Sequence, residues 1–483
     1  MEFKKNFYWV LSICLANFSF VANAQNMELK KGWQYRETKT IKWYPASVPG
    51  EVHTDLLNNK LIPDPFYRDN EKKLEWIEKK DWEYKTTFEV STATLNKKNT
   101  ELVFDGLDTY ASVYLNNQLV LKADNMFRQW RVDVKKNLKP GKNDLVVVFK
   151  SAQNVVDSLA KKDFPFVIPD NPRAYVRKAQ YHFGWDWGPK FTTCGIWKTP
   201  RLEAYDVKTP EKPYVLDRKI ELIQQPDDKG TSFYFKIDDK PVYMKGANYI
   251  PSDAFLSRVT KKEHEKVIAL AKDANMNMLR VWGGGVYEDD YFYDLCDKNG
   301  IYVWQDFMFA GTMVPGDDAF FDNVKKEVQY QVKRLRHHKS IVLWCGNNEI
   351  DEAFKSWGWQ KSMKMSKQDS TRLWKDYVRL FQDSIPKWVK EVDNKRPYLS
   401  SSPLFHWSKA KSITEGDSHY WGTWWGLEDI EAVQNKTGRF VSEYGMQAMP
   451  NYKKIEKFTL PEDRYLYSDI LQAHQKAGKG FMK

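Results

Sequence analysis

The sequence has 483 residues, 42% of them hydrophobic and 29% charged. At about 150 residues per domain this means two or three globular domains, and it excludes disordered, collagen-like and coiled-coil chains. The net charge of +11 is interspersed with acids, as in Lys261-Lys262-Glu263 and Lys325-Lys326-Glu327, which reads as solvated helix faces and excludes a nucleic-acid footprint.

Residues 1–24 read as a signal peptide: Lys4 and Lys5 precede an apolar run at 7–21, and Ala22-Asn23-Ala24 is a small-x-small cleavage site. Ser12, Asn17 and Ser19 interrupt the run, and no other stretch approaches 18 apolar residues, so an exported protein, periplasmic or secreted, without an integral membrane segment is expected. Cys14 leaves with the signal. Cys194, Cys296 and Cys345 are widely spaced in apolar patterns, which predicts buried thiols and no disulfide framework.

From 25 to 206 short β-rich runs dominate, at 82–90, 101–104, 111–115, 144–149 and 198–204. Turn signals such as Asn116-Asn117 and Lys139-Pro140-Gly141-Lys142-Asn143 separate them, and the pattern predicts an antiparallel jelly-roll sandwich. Residues 207–217, with Pro210 and Pro213, read as a linker. From 218 to 483 strands at 242–245, 278–282, 301–304, 341–344, 398–401, 419–421 and 440–442 alternate with helices at 261–274, 289–298, 320–336 and 371–392. That rhythm predicts a parallel (β/α)8-type barrel. Only 40 residues follow Glu443, with one helix predicted at 464–477 and no eighth strand. The barrel is therefore expected to be incomplete at its C-terminal end, truncated after strand seven, with unpaired edges on strands one and seven.

In such a barrel, polar residues just past the strands are the ones placed for chemistry. Trp344-Cys345-Gly346-Asn347-Asn348-Glu349 and Arg439-Phe440-Val441-Ser442-Glu443-Tyr444-Gly445 each end an apolar run in a glutamate. Either alone reads as a cap or an ion-pair partner. On strands four and seven together they match the two carboxylates that glycoside hydrolysis requires, with Asn348 placed to hold a sugar 2-hydroxyl. The 20 Trp, 26 Tyr and 27 Phe are mostly core filling, yet they also suit a pocket that stacks on sugar rings. Gly283-Gly284-Gly285 lacks the Lys and Ser/Thr of a phosphate loop and reads as a sharp turn. His337-His338 lacks a Glu-x-x-His context and reads as a helix end, so no metal and no cofactor are expected.

The chain resembles the β-mannosidases of glycoside hydrolase family 2. The resemblance rests on Phe183-Gly184-Trp185-Asp186-Trp187-Gly188-Pro189, Met244-Lys245-Gly246-Ala247-Asn248-Tyr249-Ile250-Pro251-Ser252-Asp253, Arg280-Val281-Trp282-Gly283-Gly284-Gly285, Trp304-Gln305-Asp306-Phe307, Gly346-Asn347-Asn348-Glu349 and Ser442-Glu443-Tyr444-Gly445. It implies a retaining, exo-acting hydrolase that releases terminal mannose from β-mannosides, with Glu349 as acid/base and Glu443 as nucleophile. It further implies Asn348 on the 2-hydroxyl, Asp186 and Trp187 reaching from the sandwich to the terminal mannose, Trp282 and Trp357 walling the first sugar site, and His419 and Trp425 lining the same pocket. Trp425 stands where the family carries a Tyr, and the immunoglobulin-like domain that the family places between sandwich and barrel is missing. The alternative is an inactive, truncated relative that at most binds carbohydrate weakly.

Overall fold

The structure is a computed structural model that describes residues 25–163, 173–211 and 213–477; the signal segment 1–24 lies outside the described residues. The N-terminal half is a sandwich of a six-stranded and a four-stranded sheet whose ladders are antiparallel. Its longest strands, Trp82–Val90 and Gly141–Lys150, pair over nine residues and alternate buried and less buried positions, the period that puts one face of a sheet on a core. Tyr35, Tyr84, Phe104, Leu145 and Phe149 fill that core. A short hairpin, Phe183–Trp185 paired with Gly188–Lys190, carries Asp186 and Trp187 as its two-residue turn.

Residues 206–219 contain no helix or strand among those described, yet the stretch read as a linker is tied down. Tyr214 donates to Asp393 Oδ1 at 2.7 Å, and Leu216 is buried. A small antiparallel sheet follows, Ile220–Ile223, Tyr234–Ile237 and Lys240–Val242. The sequence places the first barrel strand at 242–245, and the structure corrects this. Asp238 and Asp239, both at positive φ, turn the chain so that Lys240–Val242 pairs back on Tyr234–Ile237. The small sheet plugs the lower end of the barrel, with Phe235, Trp304, Leu343 and Phe440 in one cluster.

The barrel strands are β1 (Gly246–Tyr249), β2 (Met278–Val281), β3 (Tyr302–Asp306), β4 (Ile341–Cys345), β5 (Tyr398–Leu399), β6 (Asp417–Tyr420) and β7 (Phe440–Tyr444). β1 to β5 form one parallel ladder, and β6 and β7 form another together with Phe405–His406. Side chains join the ladders. Ser402 Oγ donates to Asp417 Oδ2 at 2.6 Å, and Asn248 Nδ2 donates to the Ser442 carbonyl at 3.1 Å. Among the described residues no strand stands between β7 and β1, and three of the four β1 residues are exposed. Helices α1 (Lys261–Asp273), α2 (Asp290–Asn299) and α3 (Asp318–Leu335) follow β1, β2 and β3. After β4, helix α4 (Lys367–Tyr377) runs through a π-helical stretch into Ile385–Val392. Only single turns follow β5 and β6, and the predicted helix at 464–477 is reduced to Asp469–His474 because Pro461 and a Ser468 cap restart the chain.

The two halves share a core. Phe127, Val176 and Tyr181 of the sandwich cluster with Trp282, Tyr287 and Phe309 of the barrel. At the centre of the seam Glu327 on α3 accepts from Arg177 Nη2 (2.7 Å) and Nε (2.8 Å), Asn125 Nδ2 (2.9 Å) and Tyr287 Oη (2.9 Å). A buried carboxylate tolerates desolvation only with this degree of satisfaction. All three described cysteines are buried.

Candidate active site

Glu349 and Glu443 meet at the C-terminal ends of β4 and β7. One carboxyl oxygen of each, together with His419 Nδ1, lies within 4.8 Å of the others. Glu349 sits at φ 63°, a left-handed conformation disfavoured for any residue with a Cβ, at the point where β4 turns into the helix Ile350–Ser356. This strained position aims the side chain across the barrel mouth. The chain is held there by backbone bonds, Glu349 N–H to Ser402 O at 2.8 Å and Asn348 N–H to Phe309 O at 2.9 Å.

The two carboxyls have different neighbours. Glu443 Oε1 pairs with Arg280 Nη1, and its Oε2 accepts from Trp421 Nε1 at 3.3 Å. Arg280 is itself locked by Asp306 (2.8 Å), Asn348 Oδ1 (2.8 Å) and Asn248 Oδ1 (3.0 Å). Glu349 accepts from Asn348 Nδ2 at 3.1 Å and faces His419 Nδ1 at 2.9 Å. Burial pushes the Glu349 pKa up to about 7, against the opposing charge of Arg280 and the Asn348 hydrogen bond. Burial raises Glu443 as well, opposed by the Arg280 cation in direct contact. The proton of the pair therefore belongs on Glu349 and the charge on Glu443.

His419 is fully buried, and burial lowers its pKa to about 4, so the ring is neutral. Ser402 Oγ gives its own proton to Asp417, so it accepts from His419 Nε2 at 3.0 Å. Nδ1 is then an acceptor, matched to a protonated Glu349. The spacing of His419 and the two glutamates would also admit a cation, but the Arg280 guanidinium already supplies the positive charge there. Asp294, Asp297 and His338 form a second cluster on the outer surface, where Asp297 ties His338 Nδ1 (2.8 Å) and the Ser340 N–H (2.7 Å), just past α3, to the end of α2.

A cavity of about 1340 Å³ opens above this pair. Asn348, Trp282, Trp357 and Trp425 line it from the barrel, and Asp186 and Trp187 line it from the sandwich hairpin. Trp282 stands edge-on to Trp185 (4.8 Å, 77°) and Trp187 (5.6 Å, 72°), so one aromatic wall is shared by both halves. A Cβ on Gly284 would overlap the Trp282 indole, which accounts for the glycine run as a tight turn. Gln447, just past β7, donates to the Asp186 carbonyl at 2.7 Å and fastens the hairpin over the mouth. His419 touches both glutamates from below and is not among the cavity-lining residues. Sequence reasoning passed over Arg280, Trp421 and Trp185 as site residues. A charged residue inside the apolar strand β2 was the available signal for Arg280; nothing distinguished Trp421 within its tryptophan-rich segment.

Two family models match the chain, the glycosyl hydrolase 2 galactose-binding domain-like model over residues 33–198 and the glycosyl hydrolases family 2 TIM barrel domain over residues 231–399. The chain belongs to glycoside hydrolase family 2, on its β-mannosidase branch. It is 32% identical to β-mannosidase of Bos taurus, an alignment of 595 residues taking in 97% of this chain and 66% of the bovine protein. It is also 32% identical to β-mannosidase B of Neosartorya fischeri, with 95% and 67% covered. The crystal structure of β-D-mannosidase from Dictyoglomus thermophilum superposes with a TM-score of 0.86 at 35% identity, covering 94% of this chain and 67% of that one. The chain thus spans about two thirds of its relatives' length. The bovine alignment is longer than the chain itself, so that relative carries internal residues without a counterpart here.

Proposed function

We propose that the protein is a retaining exo-β-mannosidase. The observation that carries this reading is the pair Glu349 and Glu443 at the ends of β4 and β7, with carboxyl oxygens within 4.8 Å of one another, the close spacing of retaining glycosidases. Glu443, held ionised by Arg280, attacks the anomeric carbon while Glu349 gives its proton to the departing glycosidic oxygen. The C–O bond to the leaving group breaks as the glycosyl ester forms. Glu349, now ionised, takes a proton from water, whose oxygen displaces Glu443 and releases the sugar with its configuration retained. Asp186 and Asn348 hold the terminal sugar through its hydroxyls, and Trp282, Trp357 and Trp425 wall it in. The lysine, apolar and Ala22-Asn23-Ala24 pattern of the first 24 residues supports export to the periplasm or beyond.

The test is hydrolysis of an aryl β-D-mannoside followed by proton NMR, with β-mannose as the first product. Release of α-mannose, or no release, sinks the retaining reading. A second reading, sugar binding without turnover, is favoured by the seam between β1 and β7, where the Asn248–Ser442 bond replaces a backbone ladder. Tryptophan quenching by the mannoside without release of phenol would select it.

A further inference from the structure

Glu352 lies one turn beyond Glu349 on the helix Ile350–Ser356 and lines the same cavity, yet the mechanism above does not use it. Its side chain is 3% exposed. Oε1 accepts from the indole N–H of Trp357 at 3.3 Å, and His406 Nε2 stands 3.5 Å from the same oxygen. The Ser408 backbone N–H donates to His406 Nδ1 at 3.1 Å. Burial lowers the His406 pKa, so the ring is neutral and carries its proton on Nε2, pointed at Glu352. Oε1 thus receives the Trp357 N–H, with the His406 imidazole beside it, while Oε2 is buried with no protein partner. A carboxylate with one bare buried oxygen is costlier than a neutral acid, so the proton resides on Oε2. Burial, first of all, pushes Glu352 well above the usual carboxyl range, in agreement with that geometry.

We propose that Glu352 is a positioning residue: as a neutral acid it fixes the half-exposed Trp357 indole as a wall of the sugar site and ties it, through His406, to the chain that follows β5. Trp357 has 42% of its surface exposed and meets Trp359 edge-on at 5.8 Å, so the Glu352 bond is what sets the indole's direction over the cavity. The neutral form matters because a second ionised carboxylate beside Glu349 would hold the acid proton too tightly to release it. This role rests on the glycosidase reading above.

The test compares Glu352→Leu, Glu352→Gln and Trp357→Phe in the full chain, using an aryl β-D-mannoside. An indole that packs on the sugar in ground and transition states alike contributes uniform binding, so Glu352→Leu should raise KM by about two- to tenfold and leave kcat nearly unchanged. Glu352→Gln, which keeps an uncharged acceptor at the Oε1 position, should recover most of that loss. Trp357→Phe lacks the N–H, so combining it with Glu352→Leu should add nothing to the larger single effect. An unchanged KM in Glu352→Leu, a Gln variant as impaired as the Leu variant, or additive losses in the double variant would each overturn the positioning role. Should the wild type bind methyl β-D-mannoside without hydrolysing an aryl mannoside, the hydrolytic reading fails and the same comparison is read in Kd by tryptophan fluorescence. A wild type that neither binds nor hydrolyses overturns both.

Discussion

Arg280 on β2 and Glu443 on β7 form a buried ion pair across the gap flanked by β1, where the two strands share no backbone ladder. The guanidinium reaches Asp306, Asn348 and Asn248 at the same time, which only a planar five-donor group can do. Lysine would satisfy one or two of these acceptors. Arg280→Lys is expected to lower kcat on an aryl β-mannoside by roughly a hundredfold, in line with losing one preorganised electrostatic contact. Its acid limb should move to higher pH because the shorter ammonium loses the direct contact that Arg280 Nη1 makes with Glu443.

The pH dependence of kcat/KM follows from the same pair. On the proposed mechanism activity needs Glu349 protonated and Glu443 ionised, so the alkaline limb should fall near the Glu349 value of about 7, with the acid limb set by Glu443. Glu349→Gln should flatten the alkaline limb and reduce the rate by about 10²–10⁴-fold. An alkaline limb that survives in Glu349→Gln would assign it to another group.

Stability should show the same titration with a definite sign. The folded protein binds the Glu349 proton more tightly than the unfolded chain, whose value is near 4.5, so this group's contribution is complete at low pH and is lost as pH rises through about 7. Glu349→Gln carries no such penalty. In urea titrations it should be more stable than wild type at pH 8, by on the order of 3 kcal/mol, and the gap should close towards pH 4.5.

Asp186 tests the composite site. Asp186→Ala removes a carboxylate from the hairpin turn that lines the cavity, and should lower kcat/KM by about 10- to 100-fold, with part of the loss in kcat. The Gln447 bond to the Asp186 main-chain carbonyl is one that the substitution keeps. Equal turnover in wild type and variant would remove Asp186 from the sugar site.

Glu327 tests the union of the halves. Glu327→Ala leaves the Arg177 guanidinium buried without its partner, a change expected to cost roughly 3–5 kcal/mol. Because both halves share one core, calorimetry should show a single lowered transition. Two separated transitions in the wild type would contradict a common core.

Much of this was legible in the residues. Glu349 and Glu443 could be found because apolar strands such as Ile341–Cys345 are buried at every position and read as uninterrupted runs. β1 escaped for the converse reason: Gly246, Ala247 and Asn248 are exposed, so no run marks the strand, and the nearby apolar residues belong to a hairpin. The left-handed backbone at Glu349 had no local sign, since glutamate is no turn former. The proton chain from Asp417 through Ser402 to His419 joins β5 and β6 in space, and periodicity along one strand carries no such information.

The hairpin carrying Asp186 and Trp187 also bears on how the protein's sugar preference can be altered. Since the sandwich supplies part of the cavity wall, a mutant library confined to the barrel loops would sample only one side of the proposed sugar site. Selections for new glycosides should recover changes at Trp185, Asp186 and Trp187 as often as at Trp282 or Trp357. Chimeras that exchange the barrel alone should inherit the old specificity in part.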